Sequence, residues 1–132
     1  MATGTAATTA RQFHTQQIHY LRKSITFAND GDTVTVGIIP SGAQIVKPIS
    51  GVAVNVAFDG DTTNTLDIGS AADTDLYATD LALGSIAFVP IDEAVSNIVA
   101  ADTTIKAVVT STASASAGSA EIIIAFIPDN DG

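Results

Sequence analysis

Aspartates crowd residues 59–75, which read DGDTTNTLDIGSAADTD and hold five aspartates and no basic residue. Carboxylate oxygens are the ligands that Ca²⁺ prefers, so the first chemistry to consider is cation binding. The stretch begins like an EF-hand loop, with Asp59 and Asp61 at its first and third places. Asn64 then occupies the sixth place, which requires Gly, and Ser70 occupies the twelfth, which requires a bidentate Glu. The sequence therefore excludes an EF-hand.

Two interpretations of these aspartates stay open. A calcium site of another kind would use Asp59, Asp61 and Asp67 as its ligands. The alternative is that they are solvated carboxylates of a surface connection, and the same interpretation covers Asp73 and Asp75. The sequence favours the second alternative, and we predict no resident metal.

Groups that could do catalysis are few. The chain has no cysteine, no Gly-x-Ser-x-Gly nucleophile motif and no Gly-x-x-x-x-Gly-Lys phosphate loop. His14 and His19 are five residues apart, which places them on opposite faces of a strand, so they do not form a shared metal site. Asp92 and Glu93 are neighbours that point apart in a strand, which is unsuited to paired-carboxylate chemistry. We predict no catalytic residue, no cofactor and no enzyme activity.

Charge divides the chain into two parts. Residues 1–29 carry three basic residues and no carboxylate, whereas residues 30–132 carry fourteen carboxylates against Lys47 and Lys106. An acidic body repels nucleic-acid phosphates and anionic lipid head groups, so we predict neither a nucleic-acid partner nor a membrane partner. The cationic N-terminal part could contact an acidic or polar protein surface. The alternative is that the acidic surface only confers solubility and the N-terminal part is a frayed terminus.

The N-terminus has neither the basic region nor the apolar region of a secretion signal. The longest apolar run, residues 122–128, is much shorter than the ~18 residues that a membrane helix needs. We expect a soluble protein that is made without a secretion signal.

Alternation of apolar and polar residues predicts a chain of short strands separated by turn residues. Residues 76–88 lack this period and are predicted as loop, and residues 92–95 could form a helical turn. The pattern predicts an all-β fold, a jelly-roll-like β-sandwich or small barrel. The predicted strands are residues 18–27, 34–38, 45–49, 52–58, 66–68, 103–112 and 120–127.

The last strand is apolar on both of its faces. Ile122, Ile124 and Phe126 alternate with a second apolar set, so core can cover only one side. The other side is covered either by a loop of the same chain or by another subunit. The second set, which we predict for self-association, is Ile123, Ala125 and Ile127.

Residues 1–24 are predicted to form an extended N-terminal arm, and residues 25–132 a single β-sandwich domain. Residues 1–12 are mostly Ala, Thr and Gly and cannot bury enough apolar surface to offset the entropy of ordering. We therefore expect that a partner orders the arm.

Three segments carry a resemblance to a known family. They are TVTVGIIPSGAQIVKPISGVAVNVA (33–57), NTLDIGSAADTDLYAT (64–79) and TIKAVVTSTASASAGSAEIIIAFIP (104–128). In their pattern of strand and turn residues, and in the order of the segments, they resemble capsid decoration, or cement, proteins of tailed bacteriophages. The resemblance implies an all-β, often jelly-roll, oligomeric protein on the outer face of the shell, at junctions between major capsid protein subunits. It implies no catalysis and identifies no binding residue.

We therefore expect a virion protein that is assembled in the host cytoplasm, lies on the outer capsid surface and bridges major capsid protein subunits. We expect it to form a homo-oligomer, a dimer or a trimer. The alternative is a tail-fibre or receptor-binding β-module that recognises the host surface. Because aromatic residues and Arg dominate interfaces, we predict that a set of aromatic, basic and apolar residues contacts the capsid: Arg11, Phe13, Ile18, Tyr20, Arg22 and Lys23.

Overall fold

The computed structural model describes residues 17–128. This part of the chain contains nine strands and two single-turn 3-10 helices. No helix in this part is long and apolar enough to cross a membrane. The 3-10 turns are Phe27–Asn29 and Lys47–Ile49. The strands are β1 (His19–Thr26), β2 (Thr33–Ile39), β3 (Gln44–Ile45), β4 (Gly51–Val56), β5 (Asn64–Ser70), β6 (Ala78–Ala82), β7 (Phe88–Pro90), β8 (Thr103–Ser111) and β9 (Ser119–Ile127).

The strands form two antiparallel sheets. The first sheet has the order β1-β9-β4-β7, with β3 paired to the end of β9, and the second has the order β2-β8-β5-β6. The chain changes sheet at every connection except β3 to β4 and the β5–β6 hairpin. Apart from the two-residue β3, each sheet has four strands, and two such sheets connected in this way form a jelly roll. The predicted all-β, jelly-roll-like sandwich is confirmed.

The core lies between the two sheets and follows the period of two that the sequence shows. In the first sheet Val52 and Ile122 are opposite each other and fully buried. In the second sheet Leu66 and Val109 form an equivalent buried pair. Burial of such side chains contributes about 1.5–3 kcal/mol each, so the inward faces supply most of the stabilisation.

The structure differs from the predicted elements in three places. Residues 76–88 contain β6 and the first residue of β7, although their sequence lacks a period of two. The reason is a bulge in β6, where Asp80 has a φ of 53° and its N–H donates to Asp67 Oδ1 at 2.8 Å. Residues 45–49 form the end of β3 and a 3-10 turn instead of one strand, and residues 92–95 form no helical turn.

β1 changes the division between arm and domain. Residues 1–24 are predicted to form the arm, whereas β1 begins at His19 and pairs with β9 along its whole length. Ile25 is buried, and Leu21 lies so close to Gly37 that a Cβ added there would be 2.8 Å from Leu21 Cδ2. Residues 19–24 are therefore part of the first sheet. The prediction for residues 1–16 lies outside the described residues.

Candidate interaction surface

The register of the first sheet determines which side chains point away from the core. Directly opposed residues in antiparallel strands share a face, and the pairs next to the buried ones face outward. Tyr20 is opposite Ala125, and Arg22 is opposite Ile123. Across β4, Ala53 is opposite both Glu121 and Phe88. These residues form the outer face of the first sheet.

This outer face is rich in apolar side chains that remain accessible to solvent. Tyr20 is 54% exposed, Val56 47% and Phe88 43%. Between them lie the half-buried Ala53 and Ile123. These five residues are called the apolar face below. Several exposed apolar side chains on one face of a sheet are typical of an interaction site.

One ion pair crosses the same face. Arg22 Nη2 donates to Glu121 Oε1 at 2.6 Å, and the two side chains are 64% and 25% exposed. An exposed pair of this kind contributes at most about 1 kcal/mol to stability. Its more important consequence is that it places a directional polar contact within an apolar surface.

Ala125 is covered by its own chain. The turn Lys47–Ile49 interrupts the pairing of β9 with β3 and β4, and Ser50 replaces the missing contact. Ser50 Oγ accepts a hydrogen bond from the Ala125 N–H at 2.9 Å, and the Val46 N–H donates to the Ala125 carbonyl at 2.8 Å. Ala125 has no exposed surface. Of the two alternatives for the outer side of β9, cover by a loop of the same chain holds at Ala125. Its side chain is therefore not available to another subunit.

The other predicted site residues lie mostly on one surface. Tyr20, Arg22 and Ile123 belong to the outer face, and Ile127 continues it as a half-buried residue at the end of β9. The exposed Ile18 directly precedes β1. The exposed Lys23 lies at the open edge of β1, and Arg11 and Phe13 lie outside the described residues. Tyr20 and Arg22, predicted for capsid contact, therefore share one face with Ile123 and Ile127, predicted for self-association, whereas Lys23 is opposite the buried Ile122.

Sequence reasoning missed two members of the apolar face. Val56 follows the alternation of Val52 and Val54, which predicts that it points into the core. A register shift between Val54 and Val56 instead turns Val56 outward, opposite Ser119. Phe88 belongs to a region predicted as loop, and no periodicity in the sequence marks it.

Two of the aspartates considered as alternative calcium ligands, Asp59 and Asp67, are engaged separately. Asp59 Oδ1 accepts from the Ser116 and Ala117 N–H groups at 2.7 and 2.9 Å, and the Ser116 hydroxyl donates to Asp59 Oδ2. These bonds, that from Ala117 above all, lower the pKa of Asp59 below its ordinary value. Asp67 accepts from the Asp80 N–H. No three His, Asp or Glu side chains within residues 17–128 are grouped so that they could hold a metal ion.

Asp73 and Asp75 form a second acidic pair. A hydrogen bond with Asp73 and the like charge on that residue raise the pKa of Asp75 above its ordinary value. Nearby, burial raises the pKa of the Tyr77 phenol.

The cationic groups are unevenly distributed over residues 17–128, which carry four basic residues against twelve carboxylates, a net charge of 4 − 12 = −8. Lys47 Nζ donates to the Glu93 and Val95 carbonyls, and Lys106 Nζ donates to Thr35 Oγ1 on the second sheet. Arg22 and Lys23 are neighbours on β1. The β1 edge of the first sheet therefore carries two of the four basic residues in the described part of the chain.

Comparisons with known proteins bear on the fold. Neither a protein-family model nor a curated protein matches the sequence. Among solved structures the chain is similar to a chain of the "Cyanophage Pam1 capsid asymmetric unit", with 20% sequence identity and a TM-score of 0.65. The alignment covers 87% of each chain, so the two chains are of nearly equal length. This likeness shows that the two chains share a fold.

Proposed function

We propose that this protein is a structural component of a bacteriophage virion that decorates and stabilises the outer surface of the capsid. In this proposal it bridges neighbouring subunits of the major capsid protein, and it acts by binding, not by catalysis. The observation that carries the proposal is the apolar face on one side of an acidic jelly roll. The resemblance to decoration proteins and the likeness to a chain of a phage capsid unit support it.

The apolar face supports a lasting contact with another protein. Three of its side chains are large and more than 40% exposed, and each would lose contact with water in an interface. Removal of apolar surface from water contributes about 25 cal/mol per Å². Interfaces are also enriched in aromatic residues and Arg, which Tyr20, Phe88 and Arg22 provide on this face.

The charge of the domain supports an outer position. Inside a filled capsid the packaged nucleic acid presents a high density of phosphates. A domain with a net charge of −8 over residues 17–128 is repelled by them, whereas the outer surface imposes no such cost. Assembly in the host cytoplasm follows, because the capsid itself is built there.

The stabilising effect follows from mass action. A protein that binds the closed lattice but not the open one stabilises the closed state by RT ln(1 + [L]/Kd), about 2.7 kcal/mol when its concentration is 100 times the Kd. Many identical copies on one shell add these contributions, and a copy that contacts two subunits gains avidity.

Self-association is a second part of the proposal, with Ile123 and Ile127 at the contact. Sedimentation velocity of the free protein tests it. We expect a dimer or a trimer that Ile123→Lys converts to monomers, and a wild-type monomer at all concentrations would contradict it.

Electron microscopy of virions carrying a labelled copy of this protein tests the function. We expect the label on the heads, outside the shell, in a copy number commensurate with the lattice. Label at the tail tip would support the receptor-binding alternative instead. Label that is absent from the virion would contradict both.

A further inference from the structure

β1 is the least protected edge of the sandwich. β7, the opposite edge of the first sheet, has three residues. In the second sheet β2 has a register shift between Thr35 and Gly37, and β6 has the bulge at Asp80. Short strands and bulges are the usual means by which edges avoid pairing with other chains. β1, in contrast, pairs with β9 over eight consecutive residues without a break.

The open side of β1 presents unpaired backbone groups. The Phe27 N–H donates to the Gly118 carbonyl across the same strand pair, which sets the alternation of bonded and non-bonded positions. By that alternation Tyr20, Arg22 and Ser24 direct their N–H and C=O groups away from β9. Within residues 17–128 no segment pairs with this side of β1.

We propose that the open edge of β1 binds an extended, carboxylate-bearing segment of the capsid shell protein by strand addition. This inference rests on the proposed function and names the contact through which it operates. In strand addition, main-chain hydrogen bonds to the edge provide affinity, and alternate side chains provide specificity.

Charge selects the occupant of this edge. If two copies of β1 paired antiparallel, residues whose N–H and C=O groups point away from β9 would be opposite each other, so the registers nearest to full length place Arg22 opposite Arg22, or Lys23 opposite Lys23, of the other copy. Like charges directly opposite each other destabilise a strand pair. The N-terminal segment of the chain is no better suited, because residues 1–29 contain no carboxylate. A segment of another protein that places a carboxylate near Lys23 would pair with this edge without a like-charge contact.

The negative charge of the domain does not oppose this contact strongly. At physiological salt, charges separated by more than about 8 Å are largely screened, so the nearest groups decide. The carboxylate of Glu121, on the neighbouring strand β9, is already paired with Arg22 at 2.6 Å. Lys23 is exposed, and no carboxylate of the described residues lies within ion-pair distance of it.

Proline at the open edge is the direct test. Ser24→Pro removes an N–H that points away from β9, a place where edge strands tolerate proline. We expect co-sedimentation with purified capsids that lack this protein to weaken at least tenfold, while the thermal unfolding of the free variant stays near that of the wild type. If the wild type binds capsids and the variant binds equally well, the edge proposal is wrong and the proposed function stands. If the wild type does not bind, the proposed function itself fails.

Charge reversal provides a matched comparison. Lys23→Glu and Lys106→Glu change the net charge equally, but Lys106 lies on the second sheet. We expect Lys23→Glu to weaken capsid binding at least fivefold relative to Lys106→Glu. Equal affinities for the two variants would overturn the proposal.

Hydrogen exchange of the wild-type protein tests the edge without any substitution. We expect the amides of Tyr20, Arg22 and Ser24 to exchange rapidly in the free protein and at least tenfold more slowly on capsids. Slow exchange in the free protein would mean that the edge is already covered. Unchanged exchange on capsids would mean that binding leaves it open. Either result would overturn the proposal.

Discussion

The two sheets of the sandwich are alike on their inner faces and different on their outer faces. The first sheet presents Tyr20, Phe88 and Ile123 to the outside. The second sheet presents mainly threonines together with a lysine and an aspartate, and the isoleucine at residue 38 is its large exposed apolar side chain. The residues that share the second outer face include Thr33, Thr35, Ile38, Thr65, Asp67, Thr104, Lys106, the half-buried Val108 and Thr110.

Folding alone does not require this difference. Threonine has a high strand propensity and remains well hydrated, so the second sheet is a sufficient solution for an outer face. The first sheet uses residues of similar strand propensity that are poorly hydrated. An exposed apolar sheet face carries a risk of aggregation, which the contact proposed for the apolar face would remove.

The largest effect we predict comes from a charge introduced into the apolar face. Phe88→Asp should weaken co-sedimentation with capsids by at least ~30-fold, which corresponds to the ~2 kcal/mol of an interface hot spot. Ile38→Asp is the matched control, because Ile38 is 60% exposed on the second sheet. Equal losses for the two variants would show that the apolar face is not the contact surface.

The next effect concerns the cover over Ala125. Ser50→Ala would leave the buried Ala125 N–H without its acceptor, which costs about 1–3 kcal/mol. We expect a lower free energy of unfolding by this amount in urea denaturation. Ser96→Ala, which removes an exposed serine with only local hydrogen bonds, should change it little. A stable Ser50→Ala variant would mean that Ser50 does not maintain the cover.

The sequence was sufficient for the fold class and for most strands. β8 and β9 keep a period of two over their length, β2 keeps it up to the register shift before Gly37, and each of the three was predicted within a few residues. Gly118, in the connection between β8 and β9, has a φ of 149°, which a residue without a Cβ adopts readily. These features depend on local pattern and backbone geometry, which a single sequence contains.

The apolar face could be predicted only in part. Tyr20 and Ile123 were named from their residue types, but they were assigned to two different contacts. Their position on one face depends on the register of β1 with β9, a pairing between residues about a hundred positions apart in the chain. The outward position of Val56 depends on the register shift in β4, and that of Phe88 on the pairing of the three-residue β7 with β4. Local pattern gives no signal for either.

A smaller effect is predicted for the ion pair on the outer face. A double-mutant cycle with Arg22→Ala and Glu121→Ala should give a coupling energy of about 0–1 kcal/mol in the free protein, falling as salt is added. Its contribution to capsid binding should be larger than to folding, because the interface would remove the pair from water. A coupling energy well above 1 kcal/mol in the free protein would show that the pair is primarily structural.

The smallest effects come from two aspartates outside the apolar face, and they have opposite signs. The fold raises the pKa of Asp75 and lowers that of Asp59, each from an ordinary value of 3.8. Ionised Asp75 therefore destabilises the protein above its folded-state pKa, and this loss disappears as the pH falls below 3.8. Ionised Asp59 stabilises the protein above 3.8, and this gain disappears as the pH falls through its lower folded-state pKa.

Substitution by asparagine separates the two cases. At pH 7 Asp75→Asn should raise the melting temperature and Asp59→Asn should lower it, and both differences should shrink as the solution is acidified. Both variants should bind capsids like the wild type, because neither residue lies on the first sheet. Shifts of the same sign at pH 7 would contradict the roles inferred from their hydrogen bonds. A loss of binding in either variant would mean that the contact extends beyond the first sheet, to the connections at the ends of the sandwich.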